Sequence, residues 1–347
     1  MPKRNLKKNI LIAGIGGASL GTEIFKSLKL SKRYRIFGVD ISSYAYGLYE
    51  KGFFKTFLAS REKYIKDILQ ICEKEKINAI IPGGEEPLKL LCKNQKEFEK
   101  KDIFLAINSP KVIDICTDKI KIFDYLKKKG VPVPFTKIIN KTSDLKKIFY
   151  PCVMKPSTAS GGSVFVYVAE NYQEADFYTA FFKKKGLKPL VQEYITEKEG
   201  EYSLGILSLS EGELVGSIAL RRFFCAKLSI TMKTKNRVIS SPYSQGLVDS
   251  FEEIRKQGEK IAEILDSRGP LNIQGRLKNG IFYPFEINPR FSGGTYLRAM
   301  AGFNEVDMFL QNHFSGEKPV PKKINYGYYF RSLEEKFVGK KAIKKYD

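Results

Sequence analysis

The segment PFEINPRFSGG, residues 284–294, places a carboxylate, an amide and a guanidinium close together. Side chains alternate across a β-strand, so Glu286 and Asn288 share one face while Phe285 and Ile287 take the other. Pro289 ends regular pairing, and Arg290 follows in the loop. A carboxylate and an amide oxygen on one face suit a hard, oxygen-loving cation such as Mg²⁺. The stretch GPLNIQGRLKNG just before it supplies a hairpin partner carrying Gln274. Gln274 joins the Glu286 face if the turn is the three-residue Lys278-Asn279-Gly280. A two-residue Asn279-Gly280 turn sends it to the other face unless a bulge intervenes.

A second chemistry-bearing stretch is VMKPSTASGGS. Lys155 ends a strand, Pro156 turns the chain, and every residue from Ser157 to Ser163 is small. Small residues let backbone N–H groups approach phosphate oxygens, and a lysine adds a point charge. The spacing is not that of a P-loop; a flexible surface hairpin would look similar. In LVQEYITEKEGEYSLGIL, Glu193 and Glu201 flank an acidic turn and can serve a cation, a sugar hydroxyl or nothing. GIGGASLGTEI follows the first strand and opens a helix. Gly14 and Gly16 match two glycines of a dinucleotide fingerprint, but Ser19 stands at the third, and Asp40 closes the next strand. A tight glycine turn that binds no dinucleotide is the favoured reading of that motif.

These residues need a scaffold, and the chain supplies one by alternation. NILIAGI, RIFGVDI, INAIIPGG and IFLAIN read as strands separated by the helical SLGTEIFKSLKL, REKYIKDILQICEKEK and EEPLKLLCKNQKEFEKK. That order implies a parallel, Rossmann-like α/β sheet over residues 1–115. Two short helices within SPKVIDICTDKIKIFDYLKKKG follow, then α+β segments. Residues 223–246 read as irregular, polar and basic. The only histidine, His313, reads as a surface or capping residue near a helix end.

Composition narrows the class. The 347 residues suffice for two or three domains. Lys and Arg number 60 against 38 Asp and Glu, a formal charge of +22. The lysines are spread through the chain and interleaved with glutamates, which reads as a solvated surface rather than a nucleic-acid site. Five cysteines without CxxC spacing argue against disulfides and structural zinc and fit the cytoplasm. No apolar run reaches membrane length, and the basic, then apolar N-terminus reads as a first strand rather than a leader.

In order and spacing, TDKIKIFDYLKKKGVPVP, YPCVMKPSTASGG, LVQEYITEKEGEYSLG and LNIQGRLKNGIFYPFEINPRFSGG resemble the ATP-grasp superfamily, most closely its carbamoyl-phosphate-synthase-like branch. The resemblance spans about nine tenths of the chain. It implies a Rossmann-like first domain (1–115), a small ATP-grasp subdomain with linker helices and lid (116–192) and a large subdomain with the metal site and C-terminal tail (193–347). Lys119 and Lys155 are then the nucleotide-phosphate cations, and Ser160, Gly161, Gly162 and Ser163 the lid. Gln192, Glu193 and Ile195 stand where adenine is read, and Glu201 where the ribose is held. Gln274, Glu286 and Asn288 become ligands of Mg²⁺ (or Mn²⁺), and Arg290 the cation at the reacting phosphate of ATP. Gln274 stands where a carboxylate is usual elsewhere in the superfamily. With a single core and no glutaminase segment, this chain alone is not expected to make carbamoyl phosphate from glutamine.

The expected activity is an ADP-forming ligase joining a small-molecule carboxylate to an amine, or a similar nucleophile such as a thiol, through an acylphosphate. Its substrate would lie near Gly16, Gly17, Glu85 and Arg290, with Arg221, Arg222 or Arg298 pairing a substrate carboxylate. A homodimer is compatible with this reading; a membrane partner is not expected. The rivals are an NAD(P)-dependent oxidoreductase using Gly14, Gly16 and Asp40, and a non-catalytic nucleotide- or nucleic-acid-binding protein.

Overall fold

The computed structural model describes residues 7–17, 20–158, 165–225, 227–234 and 237–346. The first unit runs β1 (Lys8–Ala13), α1 (Leu20–Ser31), β2 (Tyr34–Asp40), β3 (Lys55–Leu58), α2 (Tyr64–Glu75), β4 (Ala79–Pro82), α3 (Glu85–Lys93), α4 (Gln95–Glu99) and β5 (Phe104–Leu105). Its strands are parallel in the order β3-β2-β1-β4-β5. Apolar runs such as Ile10–Ala13 and Ala79–Ile81 are fully buried, as expected of strands covered on both faces. Two expectations need amendment. The sequence reading passed over β3, a short edge strand without clear alternation. The expected single helix after β4 is two, broken at Asn94, whose side-chain amide donates to the Leu90 carbonyl at 2.8 Å.

Helices α5 (Pro110–Thr117) and α6 (Lys119–Lys128) follow, capped by Ser109 and Asp118. The Asp118 carboxylate accepts from the backbone N–H of Ile120 and Lys121, which fixes where α6 begins. Both helices pack through Val112, Cys116, Ile122, Phe123 and Leu126 onto the large sheet described below. The position 115/116 therefore falls inside α5.

A four-stranded antiparallel sheet comes next, formed by β6 (Thr136–Ile138), β7 (Cys152–Pro156), β8 (Tyr167–Ala169) and β9 (Pro189–Glu193) with α7 (Tyr172–Lys184) on one face. Its order is β6-β9-β7-β8. The remaining chain adds β10 (Glu201–Ser208), β11 (Leu214–Arg222), β12 (Ile230–Lys233), β13 (Val238–Ser240), β14 (Gly246–Val248), α8 (Glu252–Ile264), β15 (Pro270–Lys278), β16 (Ile281–Asn288), α9 (Thr295–Met300), α10 (Glu305–Ser315) and β17 (Gly327–Tyr329). The large sheet has the order β16-β15-β10-β11-β14-β17. The stretch 223–246, read as irregular, contains the antiparallel β12–β13 pair, which brings Ile239 to the mouth of the cleft between the two sheets. His313 lies in α10 with its ring stacked on Phe104 at 3.7 Å, so it packs rather than caps.

Candidate active site

The β15–β16 hairpin decides whether the metal face exists. Its turn is the two-residue Asn279-Gly280, both with positive φ, and Lys278 pairs with Ile281. That register alone would turn Gln274 away from Glu286. A bulge between Gln274 and Gly275 corrects it: Gly275 pairs with Pro284, but Gln274 pairs with Glu286 and Asn272 with Asn288. Gln274, Glu286 and Asn288 consequently share one face. The bulge also overturns one expectation, because Phe285 does not point away with Ile287. Phe285 and Glu286 both line the cleft, while Ile287 enters the core beneath.

Lys155, on β7, is 5% exposed and reaches this hairpin from the small sheet. Its Nζ donates to Gln192 Oε1 at 2.8 Å and to the Phe285 carbonyl at 3.2 Å. Burial, with the positive Lys119 nearby, pushes its ammonium down to about 7, against the opposing pull of Glu286. Lys119, at the start of α6, is likewise lowered by burial, opposed by Glu286 and Glu85. Two lysines thus converge on the one carboxylate of the hairpin face. The Lys119 N–H donates to the Ser157 carbonyl at 3.4 Å, tying α6 to the base of the small-residue loop. The expected lid residues Ser160, Gly161, Gly162 and Ser163 lie outside the described residues.

The cleft between the sheets, about 640 Å³ including its opening to solvent, has Val153, Val166, Ile195, Ile239 and Phe285 supplying apolar wall. Glu193 lies at its edge, where its carboxylate accepts from Lys278 Nζ at 2.8 Å. Gln192 lines it too, but its side chain is committed to Lys155 and donates to Thr136 Oγ1 at 3.1 Å, so it orients the lysine. The expected ribose role of Glu201 is not supported. Glu201 is completely buried, bonded to Arg276 Nε at 2.8 Å and 3.4 Å from Arg222.

Arg276 escaped the sequence reading. It donates to Glu201, to the Ile195 carbonyl at 2.7 Å and to the Val238 carbonyl at 2.6 Å, with the Tyr194 ring at 4.9 Å. It locks the strand connection at the cleft floor to β13 and β10. Its signal was the period of two, since 272, 274 and 276 fall on one face of β15.

Arg290 leaves the strand end and donates from Nη2 to Glu85 at 3.2 Å and to Asn288 Oδ1 at 3.4 Å. Its buried Nε has no partner among the described residues. Glu85 starts α3 at the C-terminal end of β4, so the first unit and the hairpin meet at this pair. Gly16 and Gly17 follow the neighbouring β1. The Asp40 carboxylate, which a dinucleotide ribose would need, instead accepts from the Ile15 N–H at 2.7 Å and the Ser42 N–H at 3.0 Å. The glycine turn is closed by its own aspartate.

The three arginines expected beside a substrate carboxylate lie as follows. Arg221 pairs across from Tyr202, on the face of β11 opposite Arg222. Arg222 is held by the Ser241 carbonyl at 2.6 Å, Gln274 Oε1 at 3.3 Å and Glu201. Arg298 is 1% exposed, bonded to Glu305 at 2.6 Å and to Ser292 Oγ at 2.9 Å. A Cβ on Gly205 would meet its Nε at 2.3 Å, so Arg298 fills a slot over β10 and supports the fold.

Among the described residues no three His, Cys, Asp or Glu side chains cluster as a metal site. The three-oxygen face nonetheless fits Mg²⁺: the Gln274 and Asn288 oxygens already face arginine nitrogens, and Glu286 adds the charge. Mg²⁺ takes few protein ligands when phosphates supply the rest.

A family model described as an ATP-grasp domain matches residues 116–294. The chain belongs to the ATP-grasp family. A second model, of a PylC-like N-terminal domain, matches residues 10–106. Curated relatives include the carbamoyl phosphate synthase large chains of Buchnera aphidicola, 26% identical over 65% of this chain, and Clostridium botulinum, 30% identical over 65%. The aligned part is only 21% of each of those relatives. Among solved structures, the biotin carboxylase domain of Hydrogenobacter thermophilus 2-oxoglutarate carboxylase, in complex with MgADP and bicarbonate, superimposes with a TM-score of 0.66 at 18% identity. That match covers 92% of this chain and 73% of the other. An L-amino acid ligase from Bacillus licheniformis gives 0.65 at 16% identity, covering 91% and 75%. The ATP-grasp fold, with its Rossmann-like parallel first unit, is thus the architecture, and ATP with Mg²⁺ is what this family's fold takes. No helix among the described residues is long and apolar enough to cross a membrane.

Proposed function

We propose that this ATP-grasp protein is an ADP-forming ligase that activates a small carboxylic acid as its acylphosphate and passes the acyl group to an amine. The observation that supports the reading is that Lys155 and Arg290 line two adjoining hollows that share Lys119, Phe285 and Glu286, beside an apolar cleft. The apolar walls take the adenine ring. Lys119 and Lys155 hold phosphate oxygens, with Gln192 keeping Lys155 aimed. Glu286, Asn288 and Gln274 would hold magnesium, which supplies charge neutralisation at the β- and γ-phosphates.

The acid's carboxylate oxygen attacks the γ-phosphorus, and the bond to the β-bridging oxygen breaks, releasing ADP. Arg290 lies beside this face, and its guanidinium suits the charge that gathers on the equatorial phosphoryl oxygens. The amine then attacks the acyl carbon, phosphate leaves, and the amine gives up a proton. Glu85, paired with Arg290, keeps that guanidinium at the junction with the first unit.

The test is a screen of acids and amines for MgATP-dependent ADP release, followed by ¹⁸O transfer from the acid's carboxylate to phosphate and trapping with hydroxylamine. Substrate-dependent ADP release with neither ¹⁸O transfer nor hydroxamate would replace the ligase by a kinase. The oxidoreductase alternative is disfavoured by the engagement of Asp40 in its own turn, and titration with NADH checks it.

A further inference from the structure

After β17 the chain returns to the first unit and roofs a second cavity, about 1510 Å³ including its opening to solvent. The cavity lies between α1, α9 and the single 3₁₀ turn Tyr46–Tyr49. Gly17 lines it just after β1, where the sheet order passes from β2 on one side to β4 on the other. Ligands of open α/β sheets bind outside the strand ends at such a point. Ser332, Leu333 and Glu334 form the roof.

Two cations of the tail fix this roof to two carboxylates of the first unit, and the two pairs differ. Arg331 Nη2 donates to Glu23 Oε2 at 2.6 Å and to the Gly293 carbonyl at 2.5 Å. That pair is sealed, its side chains 9% and 6% exposed, whereas Lys336 and Glu50 are 22% and 19% exposed. Lys336 Nζ donates to Glu50 Oε2 at 2.5 Å and to the Tyr49 carbonyl at 3.1 Å, and it stands 4.6 Å from the centre of the Tyr46 ring. The Tyr49 carbonyl ends its turn, so it needs a donor from outside. A carboxylate, a carbonyl and an aromatic face together make a cage for a primary ammonium. Burial would raise the Glu50 carboxyl, but hydrogen bonds from Lys336 and Tyr46, with Lys29 nearby, hold it below its ordinary value. The cage belongs to the first unit: a Cβ on Gly17 would meet Tyr46 Cβ at 2.8 Å, so the ring is packed against the glycine turn.

No apolar burial holds the roof down. Leu333 and Phe337 are exposed, and among the described residues no side chain beyond Tyr329 joins a hydrophobic core. A segment held by polar contacts alone opens locally at low cost. Arg331 is its fixed end, because parting that pair would leave Glu23 buried and uncompensated. Lys336 is the end that opens.

We propose that residues 332–337 are a gate over this cavity, latched by Lys336, and that the ligand that opens it carries a primary ammonium which replaces Lys336 against Glu50, the Tyr49 carbonyl and the Tyr46 ring. The proposal rests on the ligase reading only in making that ligand a substrate. Gly293, which anchors Arg331, lies just beyond Arg290, so the fixed end of the gate and the phosphoryl site share one loop. An ammonium held in the cage is not the nitrogen that is acylated, because attack needs a neutral amine. Two sources share this chemistry: an amine substrate with a second amino group, or an amino acid whose carboxylate is activated.

The experiment reads binding by saturation-transfer NMR and the gate by hydrogen exchange of the amides of 332–337, both on the full chain. The probes are the C3–C5 α,ω-diamines and the amino acids with neutral side chains, each beside its fully N-acetylated derivative, which lacks the charge. At least one ammonium probe should bind the wild type and speed exchange in 332–337 by about tenfold, while its acetylated form does neither. Lys336→Gln removes the internal competitor. Exchange should then be fast without a probe, and the same probe should bind about tenfold tighter, the range for a partly exposed ion pair with a cation–π contact. Glu50→Gln should also free the gate but abolish binding. These opposite responses separate a competitor from a structural lysine, whose loss would weaken binding as the loss of Glu50 does. Binding unchanged or weakened in Lys336→Gln, equal binding of the acetylated probes, or no ammonium bound by the wild type and Lys336→Gln overturns the proposal. Capture of diamines makes the ligand the amine substrate, and capture of amino acids makes it the acid. Ammonium binding with no ADP release from any acid–amine pair would sink the ligase reading and leave the gate standing; ADP release with an unresponsive gate would do the reverse.

Discussion

Binding of MgATP should draw a proton onto Lys155. In the free protein its ammonium is pushed down to about 7 by burial and by Lys119. A triphosphate beside it supplies opposite charge and raises the value by several units. The sign follows directly: Lys155 is mostly charged below 7 and mostly neutral above it, and the nucleotide binds the charged form. With a free value near 7, about one tenth of the protein holds the proton at pH 8 and about nine tenths at pH 6. Proton uptake on binding should therefore rise from about 0.1 at pH 6 to about 0.9 at pH 8. Affinity should weaken about tenfold across that interval, about 1.4 kcal/mol. Titration calorimetry in buffers of different ionisation enthalpy measures the uptake, and Lys155→Gln provides the baseline for nucleotide protons. Equal uptake by wild type and Lys155→Gln at pH 8 would refute the reasoning, because the lysine would then already be charged in the free protein.

Glu286→Gln should fold normally yet lose Mg²⁺-dependent ADP release, since it removes the one carboxylate of the donor face; the barrier should rise by on the order of several kcal/mol. Arg290→Lys keeps the charge but loses the fork, and steady-state kinetics should show turnover falling more than ATP affinity. Arg298→Ala should lower stability by about 3–5 kcal/mol in urea denaturation, because Glu305 is left buried without its partner. Arg276→Gln should weaken ATP binding several-fold by freeing the Ile195 and Val238 carbonyls, and a nucleotide titration of the variant checks it.

Strand and helix periodicity made the parallel first unit legible, and it named Glu286 and Asn288 as sharing one face of a strand. What the sequence hid was contact made at a distance. The family resemblance put Glu201 where a ribose is held, but two arginines from neighbouring strands enclose it. Arg298 carries the same charge as a binding residue, and only its burial against Glu305 and Gly205 shows it to be internal. Arg331 lies in a tail whose aromatic and basic composition reveals nothing of its contact with α1, some three hundred positions earlier in the chain. Even the hairpin needed the fold to settle it, because an inserted residue reverses every facing assignment beyond it.

That inserted residue has its own consequence. Taking Phe285 out of β16 would leave Pro284 opposite Gly275 and Glu286 opposite Gln274, an unbroken ladder with the three oxygen donors still on their face. Pairing does not need it. What would vanish is the ring at the cleft wall and the carbonyl that accepts from Lys155. The cleft wall and the oxygen-donor face are therefore separable by a single codon, and the shortest deletion in this hairpin would divide the two more cleanly than any side-chain replacement.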